Sequence, residues 1–226
     1  MLSTRHIAVS LASLIIFVSL ASAQVITSNP NLPPDTGAYY MTPAQIHADY
    51  STGGLTVDLS QLSYQPDFAD TVMIAFAGGN EFDTFTSQAS ALISINGGPA
   101  APLTLAGPVS VEDFGKQGNV TGTFNTQMLS LDLIGTAAGH SVEIMLDPTL
   151  GNTIGQTSIT DVGGGQYQIS SFFDVFTELS LDGGPFIDQS NGPSLVSLQN
   201  LPEPSSITLL AVSAITLLRR RRPATA

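Results

Sequence analysis

The sequence predicts a mainly β fold, an antiparallel β-sandwich of jelly-roll type, and three observations predict it. Short apolar runs recur through residues 71–198 with turn residues between them. The chain holds 21 glycines and only 11% charged residues, a composition that favours short strands joined by turns. Outside its two ends, no stretch sustains an apolar period of 3.6 residues.

Taken in order, residues 24–41 are rich in turn formers and read as extended. Thr42-Pro43 has the pattern of a helix start, Thr as N-cap and Pro at the first helical position, so a short helix is expected up to Tyr50. Strands follow. Residues 71–77 end in Gly78-Gly79, and residues 89–95 end in Asn96-Gly97-Gly98. Within 121–134 the alternation places Leu129, Leu131 and Leu133 on one face, with Ser130 and Asp132 on the other. Val142, Ile144 and Leu146 alternate with Glu143 and Met145. Residues 158–162 and 166–181 are separated by Gly163-Gly164-Gly165, and Asp182-Gly183-Gly184 reads as a tight turn. Residues 195–198 supply a closing strand. An open barrel is the alternative architecture. An outer-membrane barrel is disfavoured, because its strands of about ten residues carry aromatic girdles and this chain has no Trp. With no cysteine, disulfides and Cys-ligated metals are excluded.

Charge divides the chain. The six basic residues are Arg5, Lys116 and Arg219 to Arg222, so residues 24–200 hold 17 acids against one base, a net charge of −16. Such a surface repels nucleic acid and attracts cations or basic partners.

The two ends carry targeting signals. Arg5 forms a positive n-region and residues 7–20 an apolar h-region. Ala21-Ser22-Ala23 then matches the small-x-small pattern of a signal peptidase site, with Gln24 as the new N-terminus. Signal peptidase and the Sec translocon are the partners this implies. At the other end, Pro202-Glu203-Pro204 is held extended by its prolines. Residues 207–218 are apolar, and Arg219, Arg220, Arg221 and Arg222 follow as a stop that keeps the C-terminus cytoplasmic. Twelve apolar residues rise only ~18 Å as a helix, so flanking residues, tilt or local thinning must complete a ~30 Å span. The expected organisation is a signal peptide at 1–23, an acidic β-rich ectodomain at 24–200, and a sorting and anchoring tail with a transmembrane helix at 201–226.

The tail resembles the PEP-CTERM sorting domain of Gram-negative bacteria through Pro202, Glu203 and Pro204, the apolar stretch and the arginine cluster. The resemblance implies an exosortase-type membrane protease or transpeptidase as partner, with this chain as its substrate. A sortase signal would need Thr-Gly where Ser205-Ser206 stands. Residues 118–133, 147–159 and 167–184 are similar to a recurrent ectodomain of Planctomycete-type PEP-CTERM proteins. The chain departs from it at Leu146-Asp147-Pro148, where relatives show Arg-Glu-Ser-Pro, and at Pro185-Phe186, where they place a Trp. That likeness implies compartment and fold class, and no biochemical activity.

No catalytic pattern emerges, and no enzyme activity is expected. His47 and His140 lack a partner at metal-ligand spacing and read as structural or surface residues. There is no G-x-S-x-G elbow and no phosphate loop. Lys116, in Gly115-Lys116-Gln117-Gly118, reads as part of an exposed turn. The carboxylate pairs Glu81/Asp83, Glu112/Asp113 and Asp67/Asp70 read as solvated faces. No cofactor is expected, with Ca²⁺ the cation that acidic, Gly-rich loops would suit, though no EF-hand or nonapeptide repeat is present. Phe172, Phe173 and Phe176 read as core on both faces of a buried strand, with a sugar-stacking platform as the alternative. The Asn119-Val120-Thr121 sequon is a weak signal. The composite expectation is an exported surface or extracellular-matrix protein with a structural or adhesive role, in contact with extracellular polysaccharide. A carbohydrate-binding module and a hydrolase with an unrecognised carboxylate site are the alternatives.

Overall fold

The computed structural model describes residues 24–34, 39–42, 47–67, 72–150 and 153–199. Ala21 and Ala23 of the expected signal-peptidase site, the Pro202-Glu203-Pro204 segment, the expected transmembrane helix and Arg219 to Arg222 all lie outside these residues. Among the described residues there are fourteen strands and no helix, and every strand pair is antiparallel.

Four long strands form the main wall. They are β4 (Leu55–Pro66), β6 (Asn80–Ile95), β7 (Ala101–Asp113) and β8 (Gly122–Ala137), hydrogen-bonded in that order. The shorter strands attach to the two halves of this wall. In one half, the start of β8 pairs with β10 (Ile154–Gly163), and β10 pairs with β11 (Gln166–Val175). Strand β14 (Ser194–Gln199) then lies between β11 and β2 (Tyr39–Met41), and β2 returns to β4. The result is a closed barrel of eight strands. In the other half, the end of β8 pairs with β9 (His140–Leu146), then β12 (Thr177–Leu181) and β13 (Ile187–Asp188). A bridge between Tyr50 and Gln189 carries this half across to β3 (His47–Thr52), which pairs with β4. The two outer strands are β1 (Val25–Thr27), on β11, and β5 (Met73–Ala77), on β6.

The expected sandwich is therefore corrected to a closed barrel, and the cause lies in the long strands. Three of the four, β4, β6 and β8, change partner midway along one edge, which a flat two-layer stack does not require. Strand β4 exchanges β3 for β2 across an irregularity between Ser60 and Ser63, where Gln61 has φ 54°. The β7–β8 register shifts between Ser110 and Val111, opposite Ser130 and Met128, so that Leu129 is the extra residue. A bulge of this kind increases local twist and bends the strand. It also inverts the inward parity of β8. Phe124 and Thr126 point inward before it, Leu131 and Leu133 after it, and Leu129 is turned out at 40% exposure. Leu129 thus does not share the buried face predicted for it.

The crowding at the bend explains two glycines. A Cβ on Gly107 would sit 1.9 Å from the Asp132 carbonyl oxygen, and one on Gly135 would sit 2.0 Å from that of Thr104. Only a residue without a side chain lets β7 and β8 approach this closely. Pro108 follows Gly107 within β7, a strand with partners on both sides. Proline tolerates such a position only where the ladder is irregular.

The helix expected from Thr42 to Tyr50 does not form over its described part. Residues His47–Thr52 are strand β3, and both the Thr42 amide and hydroxyl donate to the Leu62 carbonyl. A long-range bond takes the place of the cap. Asp182-Gly183 forms the expected turn, both residues at positive φ, with the Gly184 amide donating to the Leu181 carbonyl. The main core runs along the wall through residues such as Leu59, Ile93, Leu103, Leu133 and Leu179, and a smaller one joins Val25, Phe124, Ile159, Ile169 and Leu198.

Candidate functional site: a buried acidic pair in the barrel

Strand alternation builds the site. On β6, Glu81, Asp83 and Phe85 share one face, and on β7, Asp113 lies directly opposite Glu81. That face points into the barrel, leaving Glu81 5% exposed and Asp83 and Asp113 each 1% exposed. The solvated faces expected for these acids are thus corrected. Of the four residues in the Glu81/Asp83 and Glu112/Asp113 pairs, only Glu112 points away from the interior, where it accepts a hydrogen bond from Asn80 at 2.6 Å.

Lys116 is corrected too. Its backbone does lie in a turn, but the β7–β8 loop is pinned to the tip of the β5–β6 hairpin. Gln117 and Gly79 exchange hydrogen bonds, and the Gly115 amide donates to Asn80. The Lys116 side chain is thereby folded under, 5% exposed, and its Nζ donates to Glu81 Oε1 at 2.6 Å. The only cation of the acidic region is spent on Glu81.

Asp83 and Asp113 are left without one. With both carboxyls ionised, no donor reaches either oxygen of Asp83 or Oδ1 of Asp113. Burial raises the Asp83 carboxyl to about 8, helped by the charges of Glu81 and Asp113 and opposed by Lys116. Burial likewise raises Asp113 to about 7, against the pull of Lys116. A proton held on Asp83 is donated to Asp113, so the two titrate as a pair.

The pair lines a cavity in the barrel. Its walls are otherwise mostly apolar, with Tyr40, Tyr64, Phe85, Met128 and Phe173 prominent and Leu32-Pro33 also contributing. Tyr40 and Phe173 meet edge to face with ring centroids 5.7 Å apart. The cavity leaves about 50 Å³ open to the centres of water-sized spheres, and about 580 Å³ of empty space when its mouth is counted.

Two surface clusters lie apart from it. His47 Nδ1 is 2.5 Å from Asp58 Oδ2, and Asp49 lies directly opposite Asp58 across β3 and β4. The Asp58 hydrogen bond, then its charge, raises the His47 pKa, while burial and Asp58 raise that of Asp49. These three side chains are the one group among the described residues whose ligating atoms converge, within 4.8 Å of one another. Two carboxylates supply at most four of the six to eight oxygen ligands that Ca²⁺ takes. His140 Nδ1 is 2.8 Å from Asp182 Oδ2, and Asp182 Oδ1 accepts the Ser141 amide, which ties the β12 turn to β9. Both histidines thus have carboxylate partners that only strand pairing reveals. Of the three phenylalanines, Phe173 is core, Phe176 is half-buried, and Phe172 is 39% exposed on the outer face, so the segment is not buried on both sides.

The fold and site together define an all-antiparallel closed barrel with an ionisable pair in its interior. No family model, curated protein or solved structure matches the chain.

Proposed function

We propose that this chain is an exported protein of the cell surface or extracellular matrix, delivered through an exosortase-type sorting system, in which the barrel is the displayed domain and serves a structural or adhesive role. The observation that carries this reading is the coincidence of two boundaries. The first strand, Val25–Thr27, starts just after the Ala23/Gln24 cleavage site read in the sequence, and the last, Ser194–Gln199, ends just before the Pro202-Glu203-Pro204 motif. Cleavage at either point leaves every described strand intact. On this reading the tail holds the protein in the membrane until it is processed.

The test is the intact mass of the native protein, with cell fractionation, for the wild type and for a Pro202→Ala/Glu203→Ala/Pro204→Ala variant. A wild type that begins at Gln24 and lacks the arginine tail, with a variant that keeps it, supports the reading. Retention of Arg219 to Arg222 in the inner membrane by both overturns the sorting mechanism.

A second reading, binding to extracellular polysaccharide, has one specific observation in its favour. Exposed Phe172 has Gln156 and Ser197 as its cross-strand neighbours on the outer face. An aromatic ring flanked by an amide and a hydroxyl can stack on a sugar and hydrogen-bond to it. A glycan array with the wild type and Phe172→Ala decides it; equal signals from the two remove this reading.

A further inference from the structure

The barrel interior holds an imbalance that the fold itself does not resolve. With both carboxyls ionised, three of their oxygens, on Asp83 and Asp113, are buried with no hydrogen-bond donor in reach. A buried acceptor left unpaired is costly, and a buried charge more so. The nearest cation, Lys116, is bonded to Glu81. Yet both aspartates line a cavity, beside aromatic and aliphatic walls. A pocket that is apolar apart from a few converging polar groups is the ordinary form of a small-molecule site.

We propose that this cavity binds a small organic cation, a primary ammonium on a short apolar tail, with the ammonium held between Asp83 and Asp113 and the tail against Tyr40, Phe85 and Phe173.

The chemistry selects this class. An ammonium has three N–H donors and a full positive charge, which matches three orphaned carboxylate oxygens. A bare metal ion needs more oxygen ligands than the pair supplies, and the surrounding wall is mostly hydrocarbon. A neutral alcohol could donate one hydrogen bond but would leave the carboxylate charge unopposed. Size sets the limit. At ~10–15 Å³ of such space per water, 50 Å³ corresponds to about three to five water positions, so the ligand has about five non-hydrogen atoms. Tyr40 and Phe173 also line the cavity, and a cation lying over the face of either ring is attracted by it.

The groups facing the ammonium are Asp83, Asp113, Glu81, Lys116 and Tyr40. Of these, the aspartate pair changes protonation between about pH 7 and 8, so ammonium binding at pH 7 displaces a proton from it.

The experiment is isothermal titration of the full-length protein at pH 7 with n-butylammonium chloride. The comparison ligands are n-butanol and calcium chloride, and the variants are Asp83→Asn and Asp83→Asn/Asp113→Asn. The thermal melt of each variant establishes that it is folded. The expected result is a Kd in about the millimolar range or below for the amine. It should rise at least about tenfold in the double variant, and at least about tenfold for the alcohol. Repeating the titration in buffers of different ionisation enthalpy should show proton release in the wild type and not in the double variant. No binding of the amine, equal binding by the folded double variant, or binding of the alcohol as tight as the amine overturns the proposal. So does a calcium signal that depends on Asp83 in the absence of an amine signal. The proposal does not depend on the sorting tail, so a failure here leaves the tail experiment untouched.

Discussion

Neutralising Asp83 should change how stability depends on pH. In the unfolded chain an Asp releases its proton near pH 3.9; in the barrel Asp83 holds it to about 8. Over the interval between, the folded state binds a proton that the unfolded state does not. Stability therefore rises as pH falls and is lost as pH rises toward 8, the reverse of the usual salt-bridged carboxylate. One proton is worth about 1.4 kcal/mol per pH unit, so acidification from about pH 7.5 to 5.5 should add about 2.7 kcal/mol. At 2–4 °C per kcal/mol for a domain of this size, the melting temperature should climb by about 5–11 °C. Asp113 adds to this below its own value of about 7, and His47, also raised, acts in the same direction. The Asp83→Asn variant isolates the effect, since its slope should be shallower by about one proton, and it should exceed the wild type in stability above pH 8. The assay is the melting temperature by circular dichroism at half-unit pH steps for both proteins. Parallel curves between pH 5 and 8 would refute the buried-pair reasoning, as would a wild type that loses stability relative to the variant on acidification.

Other outcomes follow from the packing. Gly107→Ala and Gly135→Ala each force a Cβ to within 1.9–2.0 Å of a carbonyl oxygen, so each should cost about 4 kcal/mol or more, seen as a collapse in soluble yield or melting temperature. Lys116→Met leaves Glu81 buried without its partner and should cost about 3–5 kcal/mol, while Lys116→Met/Glu81→Gln should recover most of that in a denaturation-based double-mutant cycle. Ala138 sits at φ 53° in the β8–β9 turn, so Ala138→Gly should stabilise by about 1 kcal/mol, read as a higher denaturant midpoint.

The strands were legible because period-2 alternation and turn residues are local signals. Residues 142–146 and the Asp182-Gly183 turn needed nothing from elsewhere in the chain. Closure into a barrel was not legible, since alternation tells which side chains share a face but not which strand lies alongside. The bulge at Leu129 breaks the parity within an apolar run that looks regular, because Met128, Leu129 and Leu131 are all apolar and sequence cannot say which is extra. The acidic site was obscured in a similar way. In Glu81-Phe82-Asp83, acids and an aromatic alternate, and either face could be core; the structure buries the acids and leaves Phe82 half-buried. One signal was available, namely that the sole Lys of an otherwise purely acidic region has a reason to be near carboxylates. Thr42 misled because its cap pattern is local, whereas the carbonyl it bonds belongs to Leu62.

The position of β14 in the ring bears on when the molecule can be finished. It is the last of the described strands in sequence, yet it stands inside the wall, with β11 on one side and β2 on the other. A chain fed out from its N-terminus can form every hairpin of the long wall early, but it stays an open curl until Ser194–Gln199 arrives. Through that interval β11 and β2 present bare edges, the kind of surface on which separate copies pair with each other. Ring closure thus waits for Ser194–Gln199, the last of the described strands to leave the chain's point of synthesis.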